Sequence, residues 1–302
     1  MSQIPFSEMH RQHAGNSSDK WTHYLGVYNR LLNEYRDQAI KLLEIGVFNG
    51  GSLEIWHDYF ANAQHIVGCD IDEKCRDIQF AGDNIDLIIG DVKSDTTLAA
   101  VTAISPEYDI IIDDGSHRSS DIITAFVKLF PLLKTGGIFI IEDLHCSYWH
   151  GWEGGLDKHD SSMAFLKSLA DVVNHEHWDV QAPRTALLQP FLAAQDAQEL
   201  DLASIHSVEF SNSMCIIRKR APQDNVLGQR VICGQTFAVN DLHAAHGTLT
   251  AQPPKQERQI ATDLITQMQQ QLLQKDHIIQ QQYQQLQQLV QHIQHLQAAP
   301  KQ

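Results

Sequence analysis

The chain is short of positive charge: 22 Lys and Arg stand against 37 Asp and Glu over 302 residues, a formal net charge of −15. Such a surface lacks the field that a phosphate backbone needs, so nucleic acid is not expected as a partner. Cysteine is scarce and scattered. Cys69, Cys75, Cys146, Cys215 and Cys233 form no CxxC pair, which speaks against a zinc site or a disulfide framework and fits thiols kept reduced in a cytosol. No apolar run approaches the roughly 20 residues that span a bilayer. The opening MSQIPFSEMHRQH has no basic-then-apolar leader pattern, so a soluble, cytoplasmic protein without a membrane span is expected. Both the GxGxxG dinucleotide fingerprint and a Walker-type lysine are missing, and a diphosphate is not the expected ligand.

What is present is an alternation of helical and apolar segments. From Trp21 to Arg36, residues Tyr24, Val27, Tyr28, Leu31, Leu32 and Tyr35 recur at spacings of three and four. That spacing predicts an amphipathic helix, with Ser17, Ser18 and Asp19 as capping candidates. Short apolar runs then alternate with helices: KLLEIGV, a helix from Ser52, HIVGCDI, a short helix, DLIIGD, a helix to Ala103, YDIIIDD, a helix from Asp121 to Leu133, and GGIFIIED. Five strands of continuous Ile, Leu and Val bounded by Gly or Asp predict a doubly wound α/β fold with a mostly parallel sheet buried on both faces. SYWHGWEGGLDKHD reads as a loop long enough to be a lid, before a helix from Ser161 to Val173. Two later segments, ASIHSVEFS and SMCIIRKR, predict a hairpin closing one sheet edge. Residues 172–199 carry no motif.

The last segment differs in kind. Between Gln256 and Gln297 glutamine dominates, while Ile265, Met268, Leu272, Ile279, Leu286, Leu289, Ile293 and Leu296 keep a heptad register broken at Lys275 and Gln282. The register predicts a C-terminal coiled coil and hence a homo-oligomer; the competing reading is a low-complexity disordered tail. The organisation is then a helical lid segment over 1–39, the α/β domain over 40–235, a linker over 236–258 and the coiled coil over 259–298.

Acids and glycines gather at the predicted strand ends. LLEIGVFNGGS places Glu44 at the end of the first strand and Gly46, Gly50 and Gly51 in the following turn, where backbone can approach a ligand at the carboxyl edge of the sheet. Asp70 ends the second strand and can accept hydrogen bonds from ribose hydroxyls; Asp91, after the third, can accept from an adenine amino group. The fourth strand ends in IDDGSH and the fifth in IEDLH, so Asp113, Asp114 and His117 emerge beside Glu142, Asp143 and His145. Four carboxylates at one rim repel one another unless a cation sits among them, and hard oxygen donors favour Mg²⁺. The competing reading is that one Asp caps the next helix and the others face water.

The order of these motifs resembles the class I S-adenosylmethionine-dependent methyltransferases over roughly residues 40–145. The resemblance implies that S-adenosylmethionine is the cofactor, with Glu44, Gly46, Asn49, Gly50 and Ser52 around its methionine part, Asp70 on the ribose and Asp91 on the adenine. More narrowly, IDDGSH followed by IEDLHCSYW, and the earlier SSDKWTHYLGVY, look like the metal-dependent O-methyltransferases of macrolide sugars, the macrocin and mycinamicin type. That likeness implies Mg²⁺ on Asp114, Glu142 and Asp143, His117 as the general base, and a small-molecule or glycan acceptor bearing a sugar hydroxyl. Asp113, one residue earlier on its strand, points to the other face and is counted with the cofactor pocket. His145 is the competing base. Tyr148, Trp149 and Trp152 either stack on a sugar ring or pin their own loop. Rival readings are a catechol or diol O-methyltransferase, a hydroxylase of the cephalosporin hydroxylase group, and a coiled-coil scaffold with a vestigial pocket.

Overall fold

A computed structural model of the chain describes residues 4–192 and 200–249, together with ten isolated positions from Met268 to Leu286. Two short helices, α1 (Phe6–Gln12) and α2 (Thr22–Leu32), precede the sheet. The alternation then follows as β1 (Lys41–Ile45), α3 (Gly51–Tyr59), β2 (His65–Asp70), β3 (Ile85–Ile89), α4 (Asp95–Ile104), β4 (Tyr108–Asp113), α5 (Ser119–Leu129), β5 (Leu133–Ile141) and α6 (Ser162–Val173). Strands β6 (Ile205–Ser211) and β7 (Met214–Lys219) end it. The sheet order is β3-β2-β1-β4-β5-β7-β6; the first five strands are parallel, and β7 pairs antiparallel to both β5 and β6. The doubly wound, mostly parallel architecture and the edge hairpin both match the expectation.

Side chains alternate across each strand, and both faces are apolar. Leu43, Val67, Ile111 and Phe139 pack with Phe126 of α5 and Phe165 of α6 on one side. Leu42, Ile66, Ile110 and Ile140 pack with Tyr28 of α2 and Trp56 of α3 on the other. At about 1.5–3 kcal/mol for each fully buried aliphatic side chain, these two layers dominate the stability of the sheet. Helices α4 and α6 start where the sequence offers a cap: Ser94 accepts the N–H of Thr97 and Ser161 that of Ala164.

The start of α2 differs from the expected serine or aspartate cap. Its N-cap is Trp21, without a side-chain cap; Ser17, Ser18 and Asp19 run along a cleft instead. They do so because the preceding stretch drops onto Gly51, where a Cβ would lie 2.2 Å from the Asn16 carbonyl oxygen. Only glycine lets the two backbones meet there.

The chain divides into two units, residues 1–175 with 183–227 and residues 176–182 with 228–302. The first contains the whole sheet. In the second, the Arg230 N–H donates to the Thr248 carbonyl at 2.9 Å and the Gly247 N–H to the Arg230 carbonyl at 3.0 Å. The expected coiled coil over 259–298 lies outside the described residues except for isolated helical positions, among them Met268, Leu272, Ile279 and Leu286. No helix among the described residues is long and apolar enough to cross a membrane.

Candidate active site

A cleft of about 1090 Å³ opens at the carboxyl edge of β1, β2, β3 and β4, roofed by Gly15 to Lys20. Its floor is shaped by close backbone approach. Gly46 has φ +90°, and a Cβ there would stand 2.1 Å from the carbonyl oxygen of Asp114. The turn after β1 and the turn after β4 therefore touch, which only glycine allows. Gly50, at φ +86°, starts α3 from the left-handed region.

Asp70 receives the N–H groups of Val47 (2.7 Å) and Phe48 (3.1 Å) on Oδ2 and of Asp72 (2.9 Å) on Oδ1. Burial opposes its charge, but these backbone donors outweigh it and hold the carboxyl below the usual range. Oδ1 keeps acceptor capacity for a ligand hydroxyl. Across the cleft Asp91 Oδ1 accepts the Lys93 N–H at 2.9 Å, and the Lys93 ammonium bridges to Asp121 at 2.6 Å. Glu44 is sealed: Oε2 accepts Ser52 Oγ at 2.6 Å and Trp56 Nε1 at 3.1 Å, and burial raises its pKa. Asn49 faces the roof, donating to Ser17 Oγ at 2.9 Å. Glu44 Oε1 and Asp113 Oδ2 are buried without a hydrogen-bond partner among the described residues.

Burial pushes Asp113 up to about 7, opposed by one N–H bond from Gly115. Between the ordinary Asp value near 3.9 and about 7, the folded protein keeps a proton that the unfolded chain has lost, so stability falls as pH rises through that window. Asp113→Asn, which keeps the Gly115 bond, removes that dependence. The variant is expected to match wild type near pH 4 and to exceed it at pH 8 by up to about 4 kcal/mol in urea unfolding.

The two acid pairs meet at the rim. The Asp114 N–H donates to the Ile45 carbonyl and the Glu142 N–H to the Asp113 carbonyl, both at 2.9 Å, which extends the strand ladder by one residue and sets Asp114 beside Glu142. Asp143 and His117 then turn away in the left-handed region, at φ +55° and +58°. Such non-glycine backbone costs free energy and gathers at functional sites. Its result is that Asp114, His117 and Asp143 each bring one ligand-capable atom within 4.8 Å of the others. Asp143 Oδ1 accepts Trp21 Nε1 (3.0 Å) and Tyr24 OH (2.7 Å), while Oδ2 faces His117 Nε2 at 3.6 Å.

Glu142 is not in that trio. Its Oε1 accepts both the Tyr28 hydroxyl and the Lys20 ammonium, the latter at 2.7 Å; neither bond uses Oε2. Lys20, fully enclosed, also reaches Asp114 at 2.5 Å and Glu44 at 3.7 Å. Burial and the neighbouring Asp114 raise the Glu142 pKa against the pull of Lys20. Burial also opposes the Lys20 charge, but Glu142, Asp114 and Glu44 overcome it and lift that pKa well above the ordinary value. Sequence reasoning missed Lys20, Tyr24 and Tyr28 as site residues. The tyrosines read as part of an apolar helix stripe and, with Lys20, fall in the SSDKWTHYLGVY segment that carries the family likeness, but neither reading gives them a role; a single lysine 94 and 122 positions away from its partners leaves no periodic signal. His145 sits outside the trio, with Nδ1 2.5 Å from Ser213 Oγ.

Residues 43–144 match a family model described as a methyltransferase domain. The 8-demethyl-8-alpha-L-rhamnosyl tetracenomycin-C 2'-O-methyltransferase of Streptomyces olivaceus is 33% identical over 216 residues, which cover 68% of this chain and 53% of that protein. The mycinamicin VI 2''-O-methyltransferase of Micromonospora griseorubida is 36% identical over 49% of this chain and 39% of its own length. Among solved structures, MycE methyltransferase from the mycinamycin biosynthetic pathway in complex with Mg and SAH superposes with a TM-score of 0.61 at 26% identity, over 74% of this chain and 56% of that one. The same enzyme with Mg, SAH and mycinamycin VI gives 0.60 at 25% identity, over 74% and 55%. The chain spans about half the length, or less, of these curated relatives.

Proposed function

We propose that this chain, which carries a methyltransferase domain and resembles the macrolide-sugar O-methyltransferases, moves the methyl group of S-adenosylmethionine to a hydroxyl of a sugar or glycan with the help of Mg²⁺. The observation that carries this reading is the convergence of Asp114, His117 and Asp143 at the mouth of the cleft lined by Asp70 and Asp91. The names of the relatives, which act on a rhamnosyl tetracenomycin and on mycinamicin VI, support a sugar acceptor.

The donor set fits a hard dication. Asp114 and Asp143 offer carboxylate oxygens, and Glu142 keeps Oε2 clear of its bonds to Lys20 and Tyr28. We assign Asp114, Glu142 and Asp143 to Mg²⁺. When bound, the ion makes an acceptor hydroxyl more acidic and orients it. The free capacity of Asp70 Oδ1, at the cleft wall, fits the ribose end of the cofactor. His117, at the rim beside Asp143, would take the hydroxyl proton as the oxygen–carbon bond forms and the carbon–sulfur bond breaks, leaving S-adenosylhomocysteine. The segment from Gly15 to Lys20 lines the cleft, and much of the rate gain would come from holding oxygen and methyl in line.

The reading is tested by transfer of labelled methyl from S-adenosylmethionine to a panel of methyl glycosides, with Mg²⁺ or with chelator. Product that requires the metal supports it; label reaching catechols but no glycoside contradicts it. Asp70→Ala is expected to weaken S-adenosylhomocysteine by about tenfold or more, a loss of roughly 1.4 kcal/mol, with little change in metal affinity; calorimetry reads both. We further infer self-association through the heptad segment 259–298 and action in the cytoplasm. A full chain that scatters light as a monomer contradicts the former.

A further inference from the structure

The location of the acceptor sugar rests on the reading above. Beside Asp143 four rings form an unbroken string. Trp21 and His145 lie 5.7 Å apart at 89°, His145 and Trp149 4.9 Å at 72°, and Trp149 and Trp152 5.5 Å at 63°. The string begins at the carboxylate rim, since Trp21 Nε1 donates to Asp143 Oδ1 at 3.0 Å and His145 Nδ1 is 3.8 Å from the same oxygen.

Large aromatic faces are usually covered, yet Trp21, Trp149 and Trp152 remain 58%, 49% and 37% exposed. Their exposure does not come from a slack loop. The Glu153 carboxylate, itself in a left-handed backbone turn, accepts the Arg118 guanidinium at 2.6 Å and the Ser120 N–H at 3.0 Å. Ser147 Oγ lies 2.6 Å from the buried Ser162 Oγ, and the Gly155 N–H donates to the Ser147 carbonyl at 3.0 Å. Gly154 sits against that backbone, where a Cβ would be only 2.4 Å from the Ser147 carbonyl. These ties pin the loop without using an indole, so fastening the loop does not explain the rings. His145 is held as part of the string by Ser213, through Nδ1 at 2.5 Å.

We propose that Trp21, His145, Trp149 and Trp152 form the acceptor subsite, which holds a neutral pyranoside by stacking its C–H face on the exposed Trp149 indole, with the neighbouring rings as its edges, and turns one ring hydroxyl toward Asp143 and His117. The electron-rich face of an indole attracts the weakly positive C–H edge of a sugar and makes no demand for charge. Behind His145 a cavity of about 420 Å³, bordered by Tyr148, Lys167 and the polar Ser211 to Ser213 turn, offers partners to the remaining hydroxyls.

The probe is methyl α-L-rhamnopyranoside, whose 6-methyl group enlarges the apolar surface, titrated by saturation-transfer NMR into protein loaded with S-adenosylhomocysteine and Mg²⁺. Saturation is expected to be strongest on the C–H protons of one ring face. Trp149→Ala should weaken binding by about tenfold or more and Trp149→Phe by less than about threefold, with S-adenosylhomocysteine affinity unchanged in both. A dissociation constant that ignores Trp149→Ala, or saturation spread evenly over both faces, overturns the subsite. Wild type that binds S-adenosylhomocysteine but not the rhamnoside overturns the pyranoside assignment and leaves the methyl-transfer reading standing. Failure of wild type to bind S-adenosylhomocysteine overturns both.

Discussion

His117→Ala is expected to lower kcat by a factor of about 10²–10⁴, the usual contribution of a positioned general base, while S-adenosylhomocysteine and Mg²⁺ affinities stay within about twofold. The expectation follows from where the ring sits. His117 leaves the end of β4 in a left-handed turn and faces Asp143 Oδ2 at 3.6 Å, at the open side of the acidic cluster. Among the described residues its ion-pair partner is Asp143; it lines the same cleft as Asp70 and Asp91 but holds neither of them, so the loss is expected to fall on turnover. Single-turnover kinetics gives the rate, and calorimetry with Mn²⁺ or Mg²⁺ gives the metal affinity. Because His117 also brings a nitrogen within 4.8 Å of ligand atoms on Asp114 and Asp143, the metal titration decides its role. Metal affinity that falls in step with turnover makes His117 a ligand, and the base must then be sought elsewhere.

Lys20→Met is expected to cost about 3–5 kcal/mol of folding stability in urea, the range for removing one partner of a buried ion pair. The ammonium is enclosed by Glu142 at 2.7 Å, Asp114 at 2.5 Å and Glu44 at 3.7 Å. Methionine keeps the bulk of the side chain but leaves these acids without their internal cation. Saturating Mg²⁺ should shrink the deficit, because a second cation among the same acids replaces part of the lost charge. A variant as stable as wild type without metal contradicts the role given to Lys20.

The fold and the acid positions were legible because a parallel strand buried on both faces must be apolar along its length and must end where the chain meets water. KLLEI, HIVGCD and YDIIID state both facts within a few residues. Asp114 and Glu142 therefore came out side by side, as the strand ladder requires. The contacts that tune the site were not legible. Lys20 reaches its partners from across the chain, and Tyr24 and Tyr28 combine an apolar ring, which periodicity sees, with a hydroxyl at Asp143 or Glu142, which it does not. The serines before α2 looked like caps because spacing is local information; the close contact at Gly51 that draws them over the cleft is tertiary. Glu153, which ties the aromatic loop to the start of α5, was hidden for the same reason.

Calorimetric titration of S-adenosylhomocysteine with and without Mg²⁺ decides whether the cleft takes an adenosyl cofactor beside a metal. The predicted result is one site per chain with a dissociation constant in the micromolar range or tighter, about −8 kcal/mol or better, abolished or strongly weakened by Asp70→Ala. An absence of binding heat and of any thermal stabilisation under both conditions would contradict it.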